Sequence, residues 1–500
     1  MTHFEEADVV VVGGGSAAHE AAVAAKHYGA GRVVLLEKAP REESGGNARF
    51  SGTGFRWAFD DVDEIRQVTD ASPEEWAIVV AEPYPAQRFK DDLNRVSNGR
   101  MEPEIVDVLV DDSNEAIRWA KEVGLKWQIQ PGFEENGRRH LSPGVEIHPL
   151  NPVTSGMTNG LAQLAQWGAI ADRLGVETRY DSKVIGFLGD QTGIEGVAVA
   201  GPEGPYEIHA RAVIVAAGGF QANPAMRARY LGPNADLMKV RGSRHDTGEV
   251  LEMLLALGAK PGGHWQRGHA TPIDGVAPLV ESGDDVNRYL YPWGIAVNIH
   301  GRRFFDEGEA SAAYTYAKTG WAIQAQPEGR AYLIGTKRMW DLNPDYPLWH
   351  KPDTALWADS IEELAQRVGL DPSAVRRTVD EFNAAIDTSI PFDRYEKDGR
   401  HTVGLSPDKS NWAQALDEGP YYLVTVTGGL TFTFGGLAID GEARVLAIGD
   451  KPIPGLYATG DILGIFFHNY PAMTGQTRNL VFGRRAGRNA AALVRTPARV

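Results

Sequence analysis

An unbroken β-branched run at residues 9–12 predicts a strand buried on both faces of a parallel sheet. Three glycines follow, then an alanine-rich stretch over 17–26 with helical character, then a second apolar run at 33–36 that ends on Glu37. The order is strand, tight turn, helix, strand. Gly13, Gly15 and Ala18 take the three small positions of a G-x-G-x-x-G/A pattern. The first permits the turn, the second lets backbone approach a pyrophosphate, and the third lets the helix lie close on the sheet. Unpaired N–H groups at the helix start suit phosphate oxygens. Glu37 stands about 20 residues downstream, where a carboxylate accepts hydrogen bonds from a ribose diol. Its charge disfavours a 2′-phosphate, and so NADP. At this level FAD and NAD remain equally good readings.

Beyond Glu37 the chain runs through Ser44-Gly45-Gly46-Asn47 to Gly54, a loop of glycine and small polar residues able to bring amides against a planar polar ligand. From about 72 to 125 the period is helical, with Pro73 and Pro103 at helix starts and Gly124 as a stop. Trp119 and Trp127 read as core. Residues 161–174 predict another helix, closed by Gly175. Strand signals follow at 176–180 and 183–188, then a hairpin-like pair at 196–200 and 206–210, then a further buried strand from 211 that delivers Gly218 and Gly219. From about 263 to 429 the texture changes to Trp, Tyr, Pro and charge, with helices expected over 361–368 and 372–385. This predicts an inserted domain. The earlier grammar resumes at 454–461, a short strand ending in Gly460-Asp461, followed by a helix over 474–492. The expected organisation is an α/β, doubly wound, Rossmann-like cofactor-binding domain from 1–262 and 430–500, with an α+β capping domain over 263–429.

Composition narrows the chemistry. With 500 residues, several folding units are expected. A net charge of −16 argues against nucleic acid, and no apolar run is long enough to span a membrane. The acidic N-terminus enters the first strand at once, so a cytoplasmic location is expected. Cysteine is absent, which excludes a thiol nucleophile, a redox disulfide and a cysteine-ligated cluster. Redox work would fall to a bound organic cofactor, and no metal site is expected. No second glycine fingerprint follows a later strand, so the electron partner is external: a protein, a quinone or oxygen.

These pieces resemble the fumarate reductase/succinate dehydrogenase flavoprotein family, most closely its tricarballylate dehydrogenase branch, with some ketosteroid dehydrogenase-like features. The likeness rests on residues 8–37, Ser44 to Asn47, residues 213–220, Gly301-Arg-Arg-Phe304 with Asp306 to Glu309, residues 314–318, residues 456–461 and His468-Asn-Tyr-Pro471 through Arg484. The resemblance implies FAD lying between a divided binding domain and a cap. The implied contacts are Gly13, Gly15, Ser16, Ala17, Ala18, Glu37 and Lys38, then Gly45, Gly46, Asn47, Ser51, Gly52 and Thr53. Val184, Ala217, Gly218, Gly219, Gly460, Asp461, Gly475, Gln476 and Thr477 complete the set. Covalently flavinylated relatives use a histidine near the Gly-Gly-Asn loop; residues 40–56 have none, so noncovalent FAD is expected.

The implied reaction is hydride transfer between flavin N5 and one carbon of a C–C bond, with proton transfer at the neighbouring carbon. That carbon must be acidified by an adjacent carboxylate or carbonyl, which calls for donors to a developing enolate and a positioned acid/base. Candidates are His269, His468, Tyr470 and Tyr314, with Arg241 and Arg244 as a possible carboxylate clamp. Fumarate-reducing members carry an arginine donor soon after the position of Glu307, but here none precedes Arg330. Their histidine before the later Gly-Gly turn is also missing, and Tyr470 stands where their late arginine falls. Three classes stay open: a CH–CH dehydrogenase or reductase, a ketone desaturase or oxidase using oxygen, and an electron-relay subunit.

Overall fold

The computed structural model describes residues 3–135, 137–151, 159–342 and 352–496. These form two compact units. One takes in the described residues of Met1–Gly232, Gly242–Gly268 and Phe432–Val500, and the other those of Pro233–Arg241 and His269–Thr431.

The first unit is built on a sheet with strand order Arg444–Leu446, Pro452–Ala458, Gly204–Val215, His3–Val12, Val33–Leu36, Glu177–Arg179. All neighbours along it are parallel except the antiparallel edge strand Arg444–Leu446. Val9, Val10 and Val11 are fully buried, as a strand covered on both faces must be. The fingerprint helix, Ser16–His27, packs against the C-terminal helix, Thr474–Arg495. Small residues set their separation. A Cβ added at Gly487 would stand 2.4 Å from the Ala21 carbonyl oxygen and 2.6 Å from the Ala24 Cβ.

Most expected elements form. The helical stretch over 72–125 forms several helices, the first capped by Ser72 and Glu75 in a reciprocal box with Pro73 in its first turn. Trp119 and Trp127 are core. One reading needs correction. Residues 206–210 and the run from 211 are not two strands but one, Gly204–Val215. The reason is its neighbour: the first strand begins at His3, and the two pair in parallel from His3 with Tyr206 to Val12 with Val215. The polar first half of each strand is held by this ladder, not by an apolar pattern.

The second unit is α+β. Its long central strand, Tyr421–Thr433, pairs with Arg330–Thr336, Leu356–Ala358 and Lys239–Val240. The last pairing, Lys239 with Gly429 and Val240 with Leu430, is what draws Pro233–Arg241 into this unit. Helices Ile361–Arg367 and Pro372–Ala385 pack over one core with Tyr422, Leu423 and Val424. A buried ion pair, Arg303 with Glu307 at 2.6 Å, is completed by the Ala296 N–H donating to Glu307.

The helix–helix contact makes a paired prediction. Gly487→Ala should lower the unfolding midpoint, because its new methyl meets backbone and overpacking costs about 1–3 kcal/mol. Gly168→Ala, in helix Asn159–Leu174 with open space where the methyl would go, should raise it by up to ~1 kcal/mol. Thermal unfolding of the two variants checks the opposite signs.

Candidate active site

The fingerprint turn opens a cleft that lies wholly within the first unit. Gly13 has φ +120, and its N–H donates to the Leu36 carbonyl at 2.8 Å; a side chain there would strike the Ala216 carbonyl. Gly15 caps the helix in extended geometry, leaving Ser16 and Ala17 at the first turn. Glu37 closes one wall. Its Oε1 accepts from the Ala39 N–H at 2.7 Å, and a Cβ on Gly14 would meet its Oε2 at 2.4 Å. Burial raises the Glu37 carboxyl above its usual range, against the pull of the Ala39 N–H. Lys38 donates to Thr247 and Glu249.

Of the sequence-expected contacts, Gly13, Gly15, Ser16, Ala17, Glu37, Lys38, Gly46, Asn47, Val184, Ala217, Gly218, Gly460 and Asp461 line this cleft together. Ala18 lies behind it, fully buried under the helix. Asn47 ties two walls, donating weakly to Asp461 at 3.4 Å and accepting from the Ser243 N–H at 3.0 Å. The cleft also holds residues the sequence reading missed: Ser182, His245, Asp246 and Asn479. The signal for the middle pair is that Arg241-Gly-Ser-Arg244 leads directly into them.

Ser51, Gly52, Thr53 and Gln476 form a second group. The Gln476 amide donates to Ser51 Oγ at 3.1 Å, Ser51 Oγ accepts from the Thr53 N–H at 3.0 Å, and the Gly52 carbonyl accepts from Asn159. Gln163, missed in the sequence, donates to Gln476 and is fully buried. Thr53 adopts φ +59 with its hydroxyl buried and unpartnered among the described residues. Gly45, at φ +110, turns the loop against Leu164. Gly219 fits closely against Thr433, and Gly475 against Phe432.

Tyr470 is nearly buried in an aromatic box. Its ring stacks on Phe466 at 5.0 Å, tilts against Phe432 at 5.5 Å and meets Phe434 edge-on at 6.0 Å. Arg478 lies between the Phe432 and Phe466 rings and pairs with Asp461. His468 has φ +57, and its backbone N–H donates to His264 Nδ1 at 3.1 Å. Partial burial and the charges of Arg100 and Arg267 lower His468 below its ordinary value; burial and its neighbour His468 take His264 down to about 4.

In the second unit, His269 sits on the fully buried strand Gly268–Asp274. Tyr316 packs edge-on to it at 5.0 Å and to Tyr289 at 5.5 Å, and the Tyr289 hydroxyl is 3.1 Å from Thr271 Oγ1. Burial first, then Arg241, holds His269 well below its ordinary value, so it is neutral near pH 7. Tyr314, the expected tyrosine, lies two residues earlier on helix Ala312–Gln324, and positions i and i+2 face different ways. Tyr316 and Tyr289 therefore join His269. Arg241 is buried and pairs with Asp284 at 2.5 Å while donating to Thr431. Arg244 is exposed and lies near Glu43 in the first unit.

Among the described residues no cluster could hold a metal ion, and no helix is long and apolar enough to cross a membrane. The FAD binding domain family matches residues 8–477. The chain belongs to that family. It is 28% identical over 493 residues to a fumarate reductase (cytochrome) of Shewanella frigidimarina, covering 97% of this chain and 77% of that protein. It is 30% identical over 377 residues to the 4-oxocyclohex-2-ene-1-carboxylate 5-dehydrogenase of Sinomonas cyclohexanicum, covering 67% of this chain and 60% of that one. The open conformation of a flavocytochrome c3 fumarate reductase superposes with TM-score 0.71 at 25% identity, over 98% of this chain and 79% of that one. The chain is thus a flavoprotein of the fumarate reductase/succinate dehydrogenase family, an FAD-dependent oxidoreductase acting on carbon–carbon bonds. The cleft fits the cofactor: backbone that no side chain could replace at Gly13, a helix start for phosphates, and a carboxylate wall for a ribose.

Arg56 fastens the start of the C-terminal helix. Its N–H donates to Thr477 Oγ1, its Nε to the Ala472 carbonyl and its Nη1 to Pro143, while the guanidinium covers Tyr84 at 5.2 Å. Near it Glu146 is fully buried, with Oε1 accepting from the Gly144 N–H; burial pushes it up to about 8, with Arg56 among the groups drawing it down. Between pH 4.5 and 8 the unfolded chain releases a proton that the folded chain keeps, so this group subtracts stability as pH rises through that window. Glu146→Gln should therefore raise the unfolding midpoint at pH 8 and leave it nearly unchanged at pH 4.5. Melts at the two pH values check it.

Proposed function

We propose that this chain dehydrogenates, or reduces, a carbon–carbon bond α,β to a neutral carbonyl, a ketone in the first instance. FAD, held noncovalently in the first unit's cleft, supplies the hydride acceptor or donor at N5. Glu37 would accept from its ribose diol, the turn at Gly13 to Ser16 would take the diphosphate, and the loop of Gly45 to Thr53 with Gln476 and Thr477 would meet the ring system.

The observation that carries the substrate class is the second unit's cluster: a neutral imidazole and two phenols, His269, Tyr316 and Tyr289, around an arginine already paired with Asp284. A guanidinium suits a carboxylate, and a tricarboxylate or fumarate calls for several. A phenol is neutral at pH 7 and donates to an enolate oxygen without requiring a charged substrate. In the first unit, Tyr470, held in its aromatic box at the family's late arginine position, offers a donor of the same kind. His468, held below its ordinary value by its surroundings, would exchange the proton. The compound in the name of the Sinomonas relative carries an oxo group, in line with a carbonyl as the activating group, and a carboxylate besides. Because the chain carries no cysteine, electrons would leave to an external acceptor.

Acid precipitation should release intact FAD into the supernatant; flavin remaining on the chain would overturn noncovalent binding. Glu37→Ala should weaken FAD retention by ~1.5–3 kcal/mol, the worth of a charged hydrogen bond, measured by titrating apoprotein with FAD.

The substrate class is tested in steady state. Fumarate should be a poor substrate beside a cyclic enone or its saturated ketone. Tyr470→Phe should keep fold and FAD content while turnover falls about 100-fold, the usual cost of one oxyanion donor. Rapid fumarate reduction by the parent, or full activity of Tyr470→Phe on the best ketone, would show the class to be wrong.

A further inference from the structure

Several acids line the dinucleotide cleft, and one of them, Asp461, is answered by Arg478. Glu37 and Asp461 stand on its walls, and Asp246 lies at its floor. Lys38, the cation that acts on Asp246, is itself held by Glu249 at 3.0 Å. On the same rim His245 is paired with Glu43.

Asp246 is 6% exposed and tightly placed. Its backbone carbonyl accepts from the Ala222 N–H at 2.9 Å, and its Oδ2 accepts from Gln221 Nε2 at 2.8 Å. Its Oδ1 has no hydrogen-bond partner among the described residues and rises between the two glycine turns of the cleft. A Cβ at Gly218, where φ is +72, would come within 2.2 Å of that oxygen, and one at Gly46 within 3.9 Å. The open oxygen therefore stands beside both glycine turns that line the cleft.

We propose that Asp246 is an FAD-binding residue that acts as a carboxylic acid, donating its proton from Oδ1 to an oxygen of the bound dinucleotide. An ionised carboxylate at this place would face Asp461, Glu37 and the diphosphate with no donor but Gln221, and would be an acceptor against acceptors. The neutral acid has one donor, and the open oxygen is the one that can carry it. Burial, then Asp461, drives the group well above its usual range, against Lys38. A buried carboxylic acid kept neutral so that it can donate is an established device at other sites.

The test uses the full chain. FAD is removed, and its return to the parent, Asp246→Asn and Asp246→Ala is followed by flavin fluorescence, with circular dichroism to confirm that each apoprotein is folded. Asparagine offers an N–H donor in the same place while its oxygen still accepts from Gln221, so Asp246→Asn should bind FAD within about threefold of the parent. Asp246→Ala should bind at least tenfold more weakly. Infrared difference spectra of the holoprotein, parent minus Asp246→Asn, should show a protonated carboxyl stretch that moves in D2O. The proposal is overturned if Asp246→Asn loses as much affinity as Asp246→Ala, if Asp246→Ala binds like the parent, or if the carboxyl band is absent. Should Asp246→Ala fail to fold, the asparagine variant and the infrared band decide.

Discussion

Everything in the first unit depends on backbone passing backbone at Gly13. The turn leaves the first strand with a positive φ and runs so close to the Ala216 carbonyl that no side chain would fit. That closeness brings the start of Ser16–His27 over the carboxyl ends of the parallel strands, where the N–H groups of the first turn meet the crevice. The helix can stay there only because its other face is alanine and meets the glycines of the C-terminal helix. Phosphate recognition, sheet order and helix packing are therefore one constraint seen from three sides.

The second unit solves a different problem. Its buried strand Gly268–Asp274 carries His269 into a cluster with Tyr289 and Tyr316, and its arginine is answered by Asp284. Desolvation keeps the His269 imidazole and the Tyr289 phenol uncharged. Neutral donors suit a substrate whose activating group is a carbonyl, while a relative that reduces a dicarboxylate needs cations. A common flavin platform can thus serve different substrates by exchanging the charge type of a few side chains.

The fold was largely legible in the sequence, because its signals are local. The run at 9–12, Gly13, Gly15 and Glu37 each have one short-range physical reason to be where they are. Helix Pro372–Ala385 was readable from its proline start and its period. What escaped was whatever a distant partner decides. The first strand begins at His3 because Gly204–Val215 lies beside it, and residues 3–8 have no apolar pattern that shows it. Tyr316 meets His269 through helix phase, which motif spacing does not set. Asp246 carries no motif at all; its place follows from Gly218 and Gln221.

The account's central claim, that neutral donors select a neutral carbonyl substrate, is tested most directly by binding without turnover. The oxidised holoenzyme would be titrated with a substituted phenol, a planar stand-in for an enol, and separately with malonate, each followed through the flavin absorption spectrum. The account predicts that the phenol perturbs the flavin band and binds at least tenfold more tightly than malonate. Tight binding of malonate with no response to the phenol would contradict it.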